Sequence, residues 1–266
     1  MNDGLFWIIG CGNMAGAMLR RWIETGMDVS RVRVVDPAMP GLPGGLTALH
    51  AIPPAEAKAA RVLLAVKPQL LDTIAADVAR IVGPQTQLLS ILAGVEIAAL
   101  GARFPEAGRI VRIMPNLPAK LGKGVIALHA ADGPDSATTE LMAPLGLVEW
   151  IADEDQLHLV AALAASGPAF LYRFIDALGV AGARLGLGPD QAARLALAMV
   201  EGSALLAAQS GDAPAVLADR VASKGGMTRE GLNILDADEA LVRLLTDTLD
   251  AATKRSAEMG NAARRS

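Results

Sequence analysis

The residues best placed to do chemistry are Gly10-Cys11-Gly12-Asn13-Met14-Ala15. They carry the G-x-G-x-x-A spacing of a dinucleotide loop, after an apolar run and before a helical pattern. Gly10 permits the tight turn, Gly12 lets the backbone approach a pyrophosphate, and Ala15 lets the helix lie close to the strand. The helix start at Asn13 and Met14 offers free N–H groups and a positive dipole end to phosphates. Asp36 ends the next apolar run, where a carboxylate accepts hydrogen bonds from ribose hydroxyls and repels a 2′-phosphate. That leans the cofactor toward NADH over NADPH. Asp36 also reads as a turn former before Pro37, and Arg31 and Arg33 are cations nearby. Cys11 reads as a small loop residue with no redox role. Taken alone, the loop reads equally as a tight glycine turn at a strand end.

The surrounding elements decide between those readings. Residues 5–9, 32–35, 62–66, 88–92, 110–113 and 125–128 are short apolar runs closed by turn residues, and read as strands. Residues 14–25, 70–82, 97–104 and 136–145 read as helices between them. Continuous apolar strands imply a sheet buried on both faces, and the alternation implies parallel βαβ units. Residues 148–151 suit a final edge strand. The expected fold class is an α/β Rossmann domain with a mostly parallel sheet, residues 1–153, followed by an all-α domain, residues 154–266. In the second half Pro189, after Gly188, suits the first turn of a helix running to about Gln209. Asp238 is placed to N-cap another, with Leu241, Leu244, Leu245 and Leu249 on one face. Residues 260–266 read as a polar tail.

Composition excludes other classes. Net charge is −4 and no basic tract appears, so no nucleic-acid partner is expected. The one cysteine rules out an intrachain disulfide and suits a reducing compartment, here the cytoplasm. No metal site is expected. Residues 157–187 are the most apolar, but Pro168, Tyr172, Arg173, Asp176 and Arg184 interrupt them. A buried helix is expected there rather than a membrane span. A helical half this apolar has little room to bury its own faces, so a second copy is expected to cover them, in a homodimer or larger homo-oligomer.

Six segments in order carry a resemblance: the glycine loop, Ala65-Val66-Lys67-Pro68-Gln69, Ser90-Ile91-Leu92-Ala93-Gly94-Val95, Arg112-Ile113-Met114-Pro115-Asn116-Leu117-Pro118-Ala119, Ser166-Gly167-Pro168-Ala169-Phe170 and Ser223-Lys224-Gly225-Gly226-Met227-Thr228. With them the chain resembles the pyrroline-5-carboxylate reductase family over nearly its full length. The resemblance implies a Rossmann domain followed by a helical dimerisation domain, and hydride transfer from NAD(P)H to the C=N carbon of 1-pyrroline-5-carboxylate, giving L-proline.

Such a reaction needs the imine held against the nicotinamide, its nitrogen protonated or hydrogen-bonded, and a site for its carboxylate. Gly225-Gly226 frees the backbone to present consecutive N–H groups at the start of a helix over residues 228–235, an anion nest. The resemblance makes Gly225, Gly226, Met227 and Thr228 the carboxylate cradle, with Thr228 hydrogen-bonding the imine nitrogen. Thr228 also reads as a plain N-cap. Val66-Lys67-Pro68 lies beyond a strand's carboxyl end, and the resemblance assigns it to ribose and nicotinamide; Lys67 also reads as a surface lysine. Asn116, between prolines, bonds the cofactor or orders the site, or is an ordinary turn residue. Ser166-Gly167-Pro168 breaks or bends the first long helix, near the cofactor or as a plain interdomain kink.

The chain departs from the family at several points. Ala164-Ala165 replace a Ser-Gly pair, His158 and Ala161 replace an Asp and a Thr, Leu117 a threonine, and Lys224 a proline. Lys224 adds a cation beside the cradle, or is a surface charge; His158 reads as a helix-surface or core-edge residue. These changes keep open a divergent paralogue reducing another cyclic imino acid, and a catalytically weak nucleotide-binding or sensing protein. A β-hydroxyacid dehydrogenase would need a lysine on the first helices of the second domain, and none lies between Lys123 and Lys224.

Overall fold

The computed structural model describes residues 4–54 and 56–265, with side chains described to residue 260. Seven strands form one sheet: β1 (Phe6–Ile9), β2 (Val32–Val35), β3 (Arg61–Leu64), β4 (Gln87–Ser90), β5 (Arg109–Met114), β6 (Gly124–His129) and β7 (Gly146–Trp150). Their order is β2-β1-β3-β4-β5-β6-β7, and every pairing is parallel except β5 with β6. Strand order reverses between β1 and β3, so the crevice beyond their carboxyl ends is where an open α/β sheet receives a ligand. Gly10 and Ala65–Val66 stand at those two ends.

Helices α1 (Asn13–Glu24), α2 (Leu71–Ala79), α3 (Ile97–Arg103) and α4 (Ser136–Met142) cover the sheet. Alternate residues of one strand feed opposite cores. Phe6 and Ile8 pack with Met18, Leu19 and Trp22 of α1 and Met142 of α4, while Trp7 and Ile9 pack with Leu71 and Val78 of α2 and Leu100 of α3. Two-sided burial is why the strands read as unbroken apolar runs. Trp22 also fixes α1: its indole N–H donates to the Leu141 carbonyl at 2.7 Å, and its ring meets Phe6 edge-on at 5.6 Å. Such a ring pair adds about 0.5–1.5 kcal/mol beyond area burial.

The chain divides into two compact units, Met1–Ser166 with Ala251–Ser266, and Gly167–Asp250. By compactness the division falls after Ser166. The reason is the packing of α5 (Gln156–Val160), which belongs with the first unit: Leu157 is buried, and Glu154 just before it bonds Arg112 of β5 at 2.7 Å. The second unit contains α6 (Gly167–Arg184), α7 (Pro189–Ser210), α8 (Pro214–Val221), α9 (Met227–Asp236) and the start of α10 (Ala240–Arg265). No strand follows β7 among the described residues, and Pro189 opens α7 behind Gly188 as its sequence dictates.

Three expectations are corrected. Asp238 does not stand as an N-cap in extended backbone; it sits at φ 50 inside a 3-10 turn, Ala237–Glu239, ahead of α10. Residues 260–265 are not a loose tail, because α10 continues to Arg265 and Gly260 is buried against Gly94; Ser266 lies outside the described residues. A Cβ on Gly94 would stand 3.0 Å from the Gly260 backbone, so glycine on both sides permits this approach. Finally, the helix over Gln156–Arg184 is not buried by its own chain. It is long and apolar enough to cross a membrane by length and composition, yet only 6% of its most apolar window is buried. Leu171, Phe174 and Val180 of α6 and Leu195, Leu197 and Met199 of α7 are all exposed. Apolarity alone does not say which surface will cover it.

Candidate active site

The first unit's candidate site is the turn from β1 into α1. Gly10 takes φ +86, and a Cβ there would lie 2.8 Å from the Ala65 carbonyl oxygen. A Cβ on Gly12 would meet nothing within 4 Å. Gly12 is also the N-cap of α1 with no side chain closing it, so first-turn N–H groups are left for a ligand. Ala15 is 1% exposed, seated against the sheet core. Tight at Gly10, open at Gly12 and closely packed at Ala15, the loop fits a dinucleotide pyrophosphate.

Asp36 bears out its reading as a turn former. One carboxylate oxygen accepts the Cys11 N–H at 2.8 Å and the other the Ala38 N–H at 2.9 Å. It therefore forms the turn and also braces the glycine loop. A cleft of about 680 Å³ runs from this loop along α1, lined by Gly12, Asn13, Arg20, Asp36, Ala38 and Lys120 among others. Sequence reasoning did not place Arg20 or Lys120 there. The only available signal was helical spacing from Asn13 to Arg20.

Burial and the Asp36 charge push the Cys11 thiol up from 9.0 to about 11. It stays neutral at physiological pH and is a poor nucleophile. Its folded pKa lies above its unfolded one, so its contribution to stability is intact below about 9 and is lost as pH rises through 11. Native protein at pH 8 is expected to resist iodoacetamide, with alkylation appearing only on denaturation. Rapid native labelling of Cys11 would contradict this.

Val66, Lys67 and Pro68 follow β3, and Lys67 is exposed at the head of a 3-10 turn, Pro68–Leu70. Asn116 is 6% exposed and bonded at both ends of its amide: its oxygen accepts the Val125 N–H and its nitrogen donates to the Ala164 carbonyl, both at 2.9 Å. Asn116 thus orders the site, and both ends of its amide are used. Pro168 explains the Ala164 partner. A helix would direct the N–H of residue 168 at that carbonyl, but proline has none. The expected helix irregularity falls just before the Ser166-Gly167-Pro168 triplet, as a π turn over Ala161–Ala165 closed by Ser166 N–H to Ala161 C=O at 2.9 Å. His158 bonds the Ser256 hydroxyl at 3.0 Å, a core-edge role.

The second unit carries its own glycine turn, the loop into α9. Gly225 takes φ +71, and Gly226, whose N–H donates to the Ser223 carbonyl at 3.0 Å, is the N-cap. Helical bonding begins with the Glu230 N–H to the Gly226 carbonyl. The N–H groups of Met227, Thr228 and Arg229 precede it and have no helical acceptor. Thr228 is the second helical residue rather than the cap, and its hydroxyl makes no hydrogen bond among the described residues. Arg229, which sequence reasoning missed, holds the loop in shape by bonding Asp219 at 2.7 Å and the Ala222 carbonyl at 3.5 Å. Lys224 is exposed.

Residues 154–259 match the pyrroline-5-carboxylate reductase dimerisation family, and residues 6–94 match the family described as NADP oxidoreductase coenzyme F420-dependent. Pyrroline-5-carboxylate reductase of Pseudomonas aeruginosa is 34% identical, over 94% of this chain and 95% of its own. The structure of a pyrroline-5-carboxylate reductase from Coxiella burnetii superposes with a TM-score of 0.86 at 29% identity, covering 97% of this chain and 98% of that one. The pyrroline carboxylate reductase of Plasmodium falciparum, solved with NADP bound, shares the fold at a TM-score of 0.80 and 22% identity, over 98% and 99% of the two chains.

Proposed function

The chain belongs to the pyrroline-5-carboxylate reductase family, and from that membership we propose that it reduces 1-pyrroline-5-carboxylate to L-proline with NAD(P)H, the last step of proline biosynthesis. The observation that carries the reading is the pairing, in one chain of this family, of a glycine loop open to a pyrophosphate and a second glycine turn opening α9.

When bound, the reduced nicotinamide supplies the hydride. With Gly10 making the tight turn, its own N–H bonded to the Val35 carbonyl, Gly12, Asn13 and Met14 would hold the pyrophosphate by backbone N–H groups, and Val66, Lys67 and Pro68 would flank the ribose and nicotinamide. Asn116 fixes the loop between β5 and β6 beside them. Gly225 and Gly226 would shape the turn from which the free N–H groups of Met227, Thr228 and Arg229 cradle the substrate carboxylate. Thr228 would donate its hydroxyl hydrogen bond to the imine nitrogen, drawing electrons from the carbon that accepts hydride, while water supplies the proton that completes the product N–H. The test is purified protein with pyrroline-5-carboxylate and each cofactor, followed at the nicotinamide absorbance. Oxidation with either supports the reading, and none with both defeats it.

The charge of Asp36 leans the enzyme toward NADH. Asp36→Ser keeps a turn-forming side chain while removing the repulsion of a 2′-phosphate. The ratio of kcat/KM for NADPH over NADH is expected to rise about tenfold, equivalent to ~1.4 kcal/mol. An unchanged ratio would leave Asp36 as a turn residue alone.

Lys224, exposed beside Gly225, favours a second reading in which another cyclic imino acid is the better substrate. A six-membered imino acid turned over faster than the five-membered one would select it. The exposed faces of α6 and α7 fit a second copy, and we assign a homodimer as the smallest assembly, in the cytoplasm where a lone thiol stays reduced.

A further inference from the structure

Arg20 and Lys120 share the cleft that opens at the glycine loop, with Asp36 on its wall. Asn13, Gly16, Ala17 and Arg20 recur at helical spacing on α1, and all four line it. Gly16 and Ala17 are small and leave the floor open, so Arg20 rises at the far end. Lys120 reaches in from the 3-10 helix Leu117–Leu121. Both side chains are exposed, and neither makes a hydrogen bond or ion pair among the described residues.

Neighbouring cations behave differently. Arg21 donates to the Pro144 carbonyl at 3.1 Å and pairs with Glu24 at 3.6 Å. Arg33 is turned onto the Ser30 and Val32 carbonyls at 2.9 and 3.0 Å. Asp36 is held by the Cys11 and Ala38 N–H groups, which fix its carboxylate and partly offset its charge. Arg31 pairs with Asp28 at 3.7 Å, and the cations that line the cleft are Arg20 and Lys120, which outnumber its one carboxylate.

Building on the dinucleotide reading above, we propose that Arg20 and Lys120 are the counter-charges for a 2′-phosphate on the adenosine ribose. They offset the repulsion from Asp36 and admit NADPH beside NADH. Specificity at this cleft is then a balance of one fixed anion against two mobile cations. A 2′-phosphate is close to a dianion at neutral pH, so it gains from both cations, whereas the 2′-hydroxyl of NADH gains from neither. Because the cations are exposed, this gain is screened by salt.

The experiment is calorimetric titration of the full chain with NADPH and with NADH, comparing wild type with the Arg20→Ala/Lys120→Ala double variant. The Kd ratio, NADPH over NADH, is expected to rise roughly tenfold in the double variant, the size expected of two exposed ion pairs lost together. In wild type, raising salt is expected to raise the same ratio, and the double variant is expected to be less sensitive. Thermal melts accompany the titrations, and Arg20→Lys, which keeps the charge, should retain most of the wild-type ratio. An unchanged ratio in the double variant, whether both dinucleotides weaken together or neither does, overturns the assignment. Failure of wild-type protein to bind either dinucleotide overturns the reductase reading itself.

Discussion

Gly10→Ala is expected to lower the melting temperature and abolish dinucleotide binding together, whereas Gly12→Ala loses binding with little change in melting. The two glycines stand two residues apart in one loop but are glycine for different reasons. At Gly10 the backbone is at φ +86, and a methyl group would sit 2.8 Å from the Ala65 carbonyl oxygen and 2.9 Å from Val66 Cγ1. Left-handed backbone costs a non-glycine residue about 1–2 kcal/mol. Separating the ends of β1 and β3 to relieve the clash costs more, because the Ala65 N–H to Ile9 carbonyl bond holds them together and the Gly10 N–H to Val35 carbonyl bond ties the same end to β2, both at 2.8 Å. At Gly12 φ is −70 and a methyl group meets nothing. What it would meet is the pyrophosphate, so the loss there is of ligand and not of fold. Thermal melts with and without NADH separate the two. A Gly12→Ala protein that binds dinucleotide as wild type does would remove the pyrophosphate from this loop.

That contrast also marks what the sequence makes legible. The strand–turn–helix at residues 6–24 is local: period, glycine spacing and the closing Asp36 lie within one βαβ unit. Reading fails where a residue's partner is distant. Asn116 looks like a turn asparagine until the Val125 N–H and the Ala164 carbonyl close on it from 9 and 48 residues away. The attachment of α5 to the first unit is hidden for the same reason, since Glu154 accepts from both Arg112 and the Ile97 N–H. Asp238 misleads in the opposite sense. An aspartate before an apolar helix is a sound local signal, but the chain turns at positive φ there and starts α10 without it. The faces of α6 and α7 are a third case. Their apolarity is plain in the sequence, while the surface that covers them belongs to no segment of the described chain.

The largest catalytic effect is expected at Thr228. Its position in α9 removes the structural explanation for a threonine there. Gly226 is the cap, helical bonding starts from its carbonyl, and the Thr228 hydroxyl bonds nothing among the described residues. Thr228→Ala should therefore change stability by no more than about 0.5 kcal/mol, as for an ordinary surface substitution. If the hydroxyl donates to the imine nitrogen, its loss falls on the transition state, where negative charge moves onto that nitrogen as the carbon takes hydride. Positioned proton donors of this kind contribute about 10²–10⁴-fold. Thr228 remains only one donor beside water, so a fall in kcat of about 10²-fold is expected, with the KM for cofactor nearly unchanged. Thr228→Ser keeps the donor and should recover most of the rate. Stopped-flow turnover of the three proteins at saturating cofactor decides it. Wild-type turnover in Thr228→Ala would remove the hydroxyl from the mechanism, leaving the free N–H groups of α9 to act on the carboxylate alone.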